Sequence, residues 1–134
     1  MARILVIDDD SNVRLTIKTI LERNGHSVVL AACGDRGIAI TEIYAFAVVI
    51  IDIFMPGMDG LETVKLLRRC EPEVKVLAIS GYDFREKSVP APDFLQMAHK
   101  LGATCCLRKP FRAQELLEAV EVHCLGNQRG RRRA

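Results

Sequence analysis

Four short stretches place polar residues where apolar runs end. They are "VIDDD" (6–10), "VVIIDIFMPGMDG" (48–60), "KVLAIS" (75–80) and "TCCLRKPF" (104–111). Asp8, Asp52, Ser80 and Lys109 each close a run of the kind that forms a strand covered on both faces. A charge at the end of such a strand asks for a reason, because charged side chains are rarely buried unpaired. If the first and third runs lie side by side, Asp8, Asp9 and Asp52 converge. Carboxylates about 4 Å apart repel by roughly 4 kcal/mol per pair at an effective dielectric of ~20, a cost that calls for a cation. A few hard oxygen ligands from one protein edge suit Mg²⁺ with several waters retained. Lys109 adds a fixed positive charge. A nucleophilic carboxylate, a divalent ion, a lysine and a serine hydroxyl together describe a phosphoryl-transfer site.

Such residues need a frame, and the chain supplies one by alternation. Strands are expected at 3–8, 27–32, 47–52, 75–80 and 104–109. Between them run helical patterns. Val13, Ile17, Ile20 and Leu21 repeat at helical spacing before the Asn24-Gly25 stop. A second helix is expected over 35–46, with Ile38 and Ile43 among its apolar positions. A third covers 60–70, with Leu61, Val64 and Leu67 on one face and Pro72 beyond its end. A fourth covers 93–103 and a last one 113–125. Five strands alternating with five helices give an α/β fold with a five-stranded parallel sheet and right-handed crossovers. Ligands of such sheets bind beyond the carboxyl ends of the strands, which is where the polar residues stand. Asp59 belongs to the turn and helix start. His26, His99 and His123 lie off the acidic edge and read as structural or exposed.

Length and composition set the outer bounds. The 134 residues are one domain's worth, and 49% hydrophobic content is enough for a real core. No apolar run approaches the ~20 residues of a membrane span, and "MARILVID" has no secretory-signal pattern. The five cysteines, Cys33, Cys70, Cys105, Cys106 and Cys124, show no C-x-x-C spacing and read as reduced side chains of a cytoplasmic protein. The net charge of +2 sits in the terminal "RGRRRA". Without it the body is net acidic, and the arginine run reads as a frayed, solvated end more than as a nucleic-acid contact.

"VIDDD", "DIFMPGMDG", "AISG" and "KPF", in this order at successive strand ends, resemble the receiver domains of two-component response regulators. The resemblance covers residues 2 to 125, nearly the whole chain. It implies a flavodoxin-like fold with helices on both faces and strand order 2-1-3-4-5. It implies that Asp52 is the phosphoacceptor and that Asp9, Asp52 and the backbone carbonyl of Phe54 bind Mg²⁺, with Asp8 acting mainly through water. Lys109 would contact the phosphoryl group, and the Lys109-Pro110 bond would be cis. Ser80 takes the place of the switch hydroxyl. The donor would be a phosphohistidine on a sensor histidine kinase or a histidine phosphotransfer protein. A downstream protein would read the fourth-helix region. The chain would catalyse only its own phosphorylation and dephosphorylation. The expected organisation is a receiver over 1–125 and a basic, disordered tail over 126–134, as a single-domain signalling or relay protein. The alternatives are an N-terminal piece of a larger regulator or a phosphate-independent binding module. An aspartate-nucleophile phosphatase would carry a second acid two residues after the nucleophile, where this chain has Phe54, which cannot move protons.

Three features depart from the pattern. Cys106 stands three residues before the lysine, where the family often has an aromatic residue that packs inward on activation. Phe54 and Tyr82 are aromatic at the two positions that flank the phosphoryl group and influence its hydrolysis. The segment between Ser80 and Ala103, containing "GYDFREKSVPAPDF" with Pro90 and Pro92, is several residues longer than in a typical receiver.

Overall fold

The computed structural model describes residues 1–55, 60–81 and 92–126. Asp59, Tyr82, Pro90 and the arginine run, with the readings attached to them, lie outside the described residues. The five strands are β1 (Arg3–Ile7), β2 (Ser27–Ala31), β3 (Val48–Asp52), β4 (Lys75–Ser80) and β5 (Cys105–Arg108). They form one parallel sheet of order β2-β1-β3-β4-β5, as expected. The helices are α1 (Ser11–Arg23), α2 (Gly34–Thr41), α3 (Gly60–Cys70), α4 (Pro92–Lys100) and α5 (Ala113–Glu118), the last continuing as a π-helical segment, Ala119–Cys124. Among the described residues no helix is long and apolar enough to cross a membrane.

Strand alternation divides the core in two. Ile4, Val6, Val48, Ile50, Leu77 and Ile79 face one way, packed with Ile17 and Leu21 of α1 and Leu116, Val120 and Cys124 at the C-terminal helix. Leu5, Ile7, Val49, Ile51, Val76 and Ala78 face the other way, against Ile38 of α2, Val64 and Leu67 of α3 and Ala98 of α4. β3 is buried throughout and β4 from Val76 onward, on both faces, which is why they read as unbroken apolar runs rather than alternating ones.

Helix ends follow local chemistry. Gly25 (φ 87°) and Gly102 (φ 116°) adopt left-handed backbone beyond α1 and α4. There His26 N–H donates to the Leu21 carbonyl and Ala103 N–H to that of Ala98, closing the two helices by the same motif. So α4 ends at Lys100 and not at Ala103 as the sequence pattern suggested. α2 is also shorter than expected. It tightens beyond Thr41 into short-range bonds from Glu42 and Ile43 to Ala39 and Ile40, and Ile43 is exposed instead of packed. The last helix widens where a regular α-helix was expected to run on to residue 125. The five cysteines are reduced thiols, and Cys124 is buried.

Candidate functional site

Parity along the strands decides which polar groups meet. Asp8 continues the Ile4–Val6 row, Asp52 the Val48–Ile50 row and Lys109 the Cys105–Leu107 row, all on the side of α1 and α5. β1 and β3 are direct neighbours in register, Ile7 opposite Ile51, so the next residues, Asp8 and Asp52, emerge side by side. One carboxylate oxygen from each of Asp8, Asp9 and Asp52 lies within 4.8 Å of the other two. Asp8 and Asp52 are buried and Asp9 is exposed.

Lys109 Nζ donates to Asp8 Oδ2 at 2.9 Å and to Asp52 Oδ2 at 3.3 Å. The Lys109–Pro110 peptide is cis, in agreement with the expectation. The other carboxylate oxygens are held by backbone. Asp8 Oδ1 accepts from Asp10 N–H and Asp52 Oδ1 from Phe54 N–H, both at 2.9 Å. Asp10 caps α1 by accepting from Asn12 N–H, so it serves the helix start. Gly60 opens α3 so close to the acceptor strand that an added Cβ would collide with the Asp52 carbonyl oxygen. Helix α3 therefore backs directly onto Asp52.

Burial dominates the electrostatics. It pushes the Asp52 carboxyl up from 3.8 to about 6, against the Phe54 N–H and the Lys109 charge, with Asp8 adding repulsion. Burial also works to lower the Lys109 ammonium. Its hydrogen bond to Asp8 and the charges of Asp52 and Asp8 outweigh that, and the net shift is upward. Lys109 thus pairs with Asp8 and Asp52 while Asp9 stands beside them, and the three carboxyl groups are short of positive charge.

Ser80 comes to the same edge differently. It follows Val76 and Ala78 in the alternation of β4, and its carbonyl accepts from Lys109 N–H at 2.8 Å. Its hydroxyl is buried, with no hydrogen-bond partner among the described residues. Cys106 is half-buried against the α2–α4 side of the core, where it has no ring to turn inward. Beside Lys109 a cavity of about 580 Å³ opens between α1 and the β5–α5 connection, lined by Asp10, Thr16, Gly81, Pro110 and Phe111 among others.

Two contacts were not anticipated from sequence. Arg14 Nη1 donates to the Asp8 carbonyl at 2.6 Å. A basic residue one turn into the helix that follows an acidic loop was the available signal. His26 is buried and pairs with Glu121 at 2.8 Å, a partner 95 positions away that no local pattern could name.

Comparison with known proteins agrees with this geometry. The chain matches the response regulator receiver domain family over residues 4–121. It is 33% identical to the response regulator protein FleR of Pseudomonas aeruginosa over 125 residues, which are 93% of this chain and 25% of FleR. It is 27% identical to the sporulation initiation phosphotransferase F of Bacillus subtilis, covering 90% of this chain and 92% of that one. A crystal structure of a response regulator receiver domain protein from Clostridium thermocellum superposes with a TM-score of 0.82 at 31% identity, covering 94% of this chain and 96% of the other. The chain belongs to the receiver domains of response regulators. Members of this family catalyse phosphorylation and dephosphorylation of their own aspartate, and the clustered triad of this chain is consistent with such a phosphorylation and metal site.

Proposed function

We propose that the chain is a phosphorylation-controlled signalling module in which Asp52 accepts a phosphoryl group from a phosphohistidine donor. The observation that carries this reading is the buried Asp52 carboxylate, fixed by Phe54 N–H and flanked by Lys109, with Asp8 and Asp9 within 4.8 Å.

The donor set fits a hard divalent cation: three carboxyl groups on one edge, with a single lysine between two of them. Asp9, Asp52 and the Phe54 carbonyl would hold Mg²⁺, with Asp8 acting through water. When bound, the ion supplies charge neutralisation for the transferring phosphoryl oxygens. The chain's own residues do the rest. Burial and the Phe54 N–H on Oδ1 hold Asp52 in one orientation, so Oδ2, the oxygen beside Lys109, is the one left to act as nucleophile. A P–O bond forms to that oxygen as the P–N bond of the donor breaks, and the electron pair leaves with the imidazole. Lys109 then pairs with a phosphoryl oxygen. The Ser80 hydroxyl, buried at the adjacent strand end and without a partner among the described residues, is the group that reaches for another. Its movement shifts a pre-existing conformational equilibrium that a partner reads through the α4 region.

The donor is a sensor histidine kinase or a histidine phosphotransfer protein, and the setting is the cytoplasm. The similarity to phosphotransferase F along nearly its whole length favours a stand-alone receiver or relay intermediate. The chain spans a quarter of FleR, so a receiver within a larger regulator is the second reading. The test is intact mass after incubation with acetyl phosphate and Mg²⁺. One phosphate is expected on the wild type and none on Asp52→Ala or in EDTA. An equal gain on Asp52→Ala would overturn the assignment.

A further inference from the structure

Asp52 and Lys109 account for the centre of the site, and one cation at its rim has no part in that account. Arg14 lies in the first turn of α1, where its own N–H donates to the Asp10 carbonyl at 3.0 Å. Its half-buried guanidinium reaches back to the Asp8 carbonyl. With that bond, every polar atom of Asp8 is engaged. Its N–H donates to the Ala31 carbonyl, Oδ1 accepts from Asp10 N–H, Oδ2 accepts from Lys109, and its carbonyl accepts from Arg14. The Asp8 carbonyl and the Asp9 amide share one rigid peptide plane. Fixing that carbonyl fixes the direction in which the chain leaves for the Asp9 side chain. Asp9 is the exposed member of the triad, so its aim depends on the backbone that carries it.

The geometry points to Arg14 as a positioning residue that aims the Asp9 carboxylate at the cation site through the Asp8–Asp9 peptide. This rests on the reading of the triad as a divalent-cation site. Two effects of Arg14 oppose each other. Its charge repels a cation through space. Its hydrogen bond holds a ligand in place, so less freedom is lost when the cation binds. Solvent screens the charge of a half-buried guanidinium, whereas a charge-assisted bond to a fixed carbonyl keeps its strength. Positioning therefore outweighs repulsion.

Titration calorimetry of Mg²⁺ into the whole chain separates the two. Arg14→Met keeps most of the stem but has neither charge nor donor. It is expected to bind Mg²⁺ about three- to tenfold more weakly, at or below the low end of what partners of metal ligands contribute. Arg14→Lys keeps one N–H donor, all that the bond uses, and should stay within about twofold of the wild type. Hydrogen exchange at the Asp10 amide, which rests on Asp8 Oδ1, should quicken in Arg14→Met and not in Arg14→Lys. Should Arg14→Met not fold, Arg14→Leu, which likewise has neither charge nor donor, carries the same expectation. Unchanged or tighter Mg²⁺ binding in the uncharged variant, with a binding wild type, overturns this role alone. A wild type that binds no Mg²⁺ overturns both this role and the cation-site reading.

Discussion

Lys109 Nζ lies 3.3 Å from Asp52 Oδ2, yet this ion pair does not hold the Asp52 carboxyl in the usual acidic range. The lysine is closer to Asp8, at 2.9 Å, and the burial that surrounds Asp52 outweighs its share of the charge. The protein therefore carries an electrostatic cost at the residue proposed for its chemistry.

That cost is measurable as stability. The Asp52 carboxyl is raised from 3.8 to about 6, so folding favours its protonated form. Below pH 3.8 the group is protonated in both states and costs nothing. Between there and pH 6 the unfolded chain ionises first, and stability falls. Above pH 6 the cost is constant, with a ceiling of about 3 kcal/mol for a shift of this size. Asp52→Asn removes the ionisation. In EDTA it should be more stable than the wild type by about 1–3 kcal/mol at pH 7.5, and the gain should shrink toward zero near pH 4. Urea unfolding of both proteins from pH 4 to 8 checks this. A gain that does not change with pH would mean that ionisation of Asp52 is not its source.

Removal of the lysine should have the opposite sign. Lys109→Met leaves Asp8 and Asp52 side by side with no cation between them. Breaking a buried pair by removing one partner costs about 3–5 kcal/mol, and the partial exposure of Lys109 places the expected loss at about 2–3 kcal/mol at pH 7.5 in EDTA. Mg²⁺ should restore part of it by neutralising the same carboxylates. Thermal unfolding with and without Mg²⁺ is the measurement, and a variant as stable as the wild type in EDTA would show that the lysine neutralises nothing there.

The sequence made the sheet and the acidic edge legible because both depend on local rules. Unbroken apolar runs mark strands buried on two faces, and strand parity carries Asp8, Asp52 and Lys109 to one side. Strand order came from family resemblance, since nothing within a single βα unit tells β1 that its neighbours are β2 and β3. At the ends of α2 and α4 the apolar spacing runs past the true stop. At α4 the signal was present in Gly102. At α2 no glycine marks the end, and Ile43 kept the helical spacing while the backbone had already tightened. Arg14 and His26 were missed because their partners, a backbone carbonyl and a glutamate from the far end of the chain, leave no periodic trace.

The pair formed by His26 and Glu121 lies at the opposite end of the sheet from the acids, just before β2. His26 Nδ1 accepts from Ala2 N–H at 3.2 Å, so Nε2 carries the hydrogen that reaches Glu121. One ring thus ties the start of the chain to the π-helical segment. His26→Leu leaves both partners unmet and should cost about 2 kcal/mol, since unsatisfied buried groups cost about 1–3. Phosphate uptake per folded molecule should be unchanged. Urea unfolding beside the mass assay tests both halves, and slowed uptake would reveal a coupling between the two ends.

Phe54 bears on how long Asp52 would stay phosphorylated. Phe54 is 37% exposed, two residues beyond Asp52, and its own amide is bonded to Asp52 Oδ1. The backbone that carries the ring is therefore fixed relative to the acceptor. Hydrolysis needs water in line with the bond to be broken, opposite the aspartyl oxygen. A bulky apolar ring beside that path excludes water and offers it no hydrogen bond, whereas a shorter amide side chain admits and orients it. Phe54→Asn should lose phosphate several-fold faster than the wild type, while the modest burial of Phe54 keeps the folding cost near about 1 kcal/mol. The check is intact mass over time after the donor is removed and Mg²⁺ retained. Equal decay in the two proteins would place the control of lifetime elsewhere in the site and leave Phe54 to the metal through its carbonyl alone.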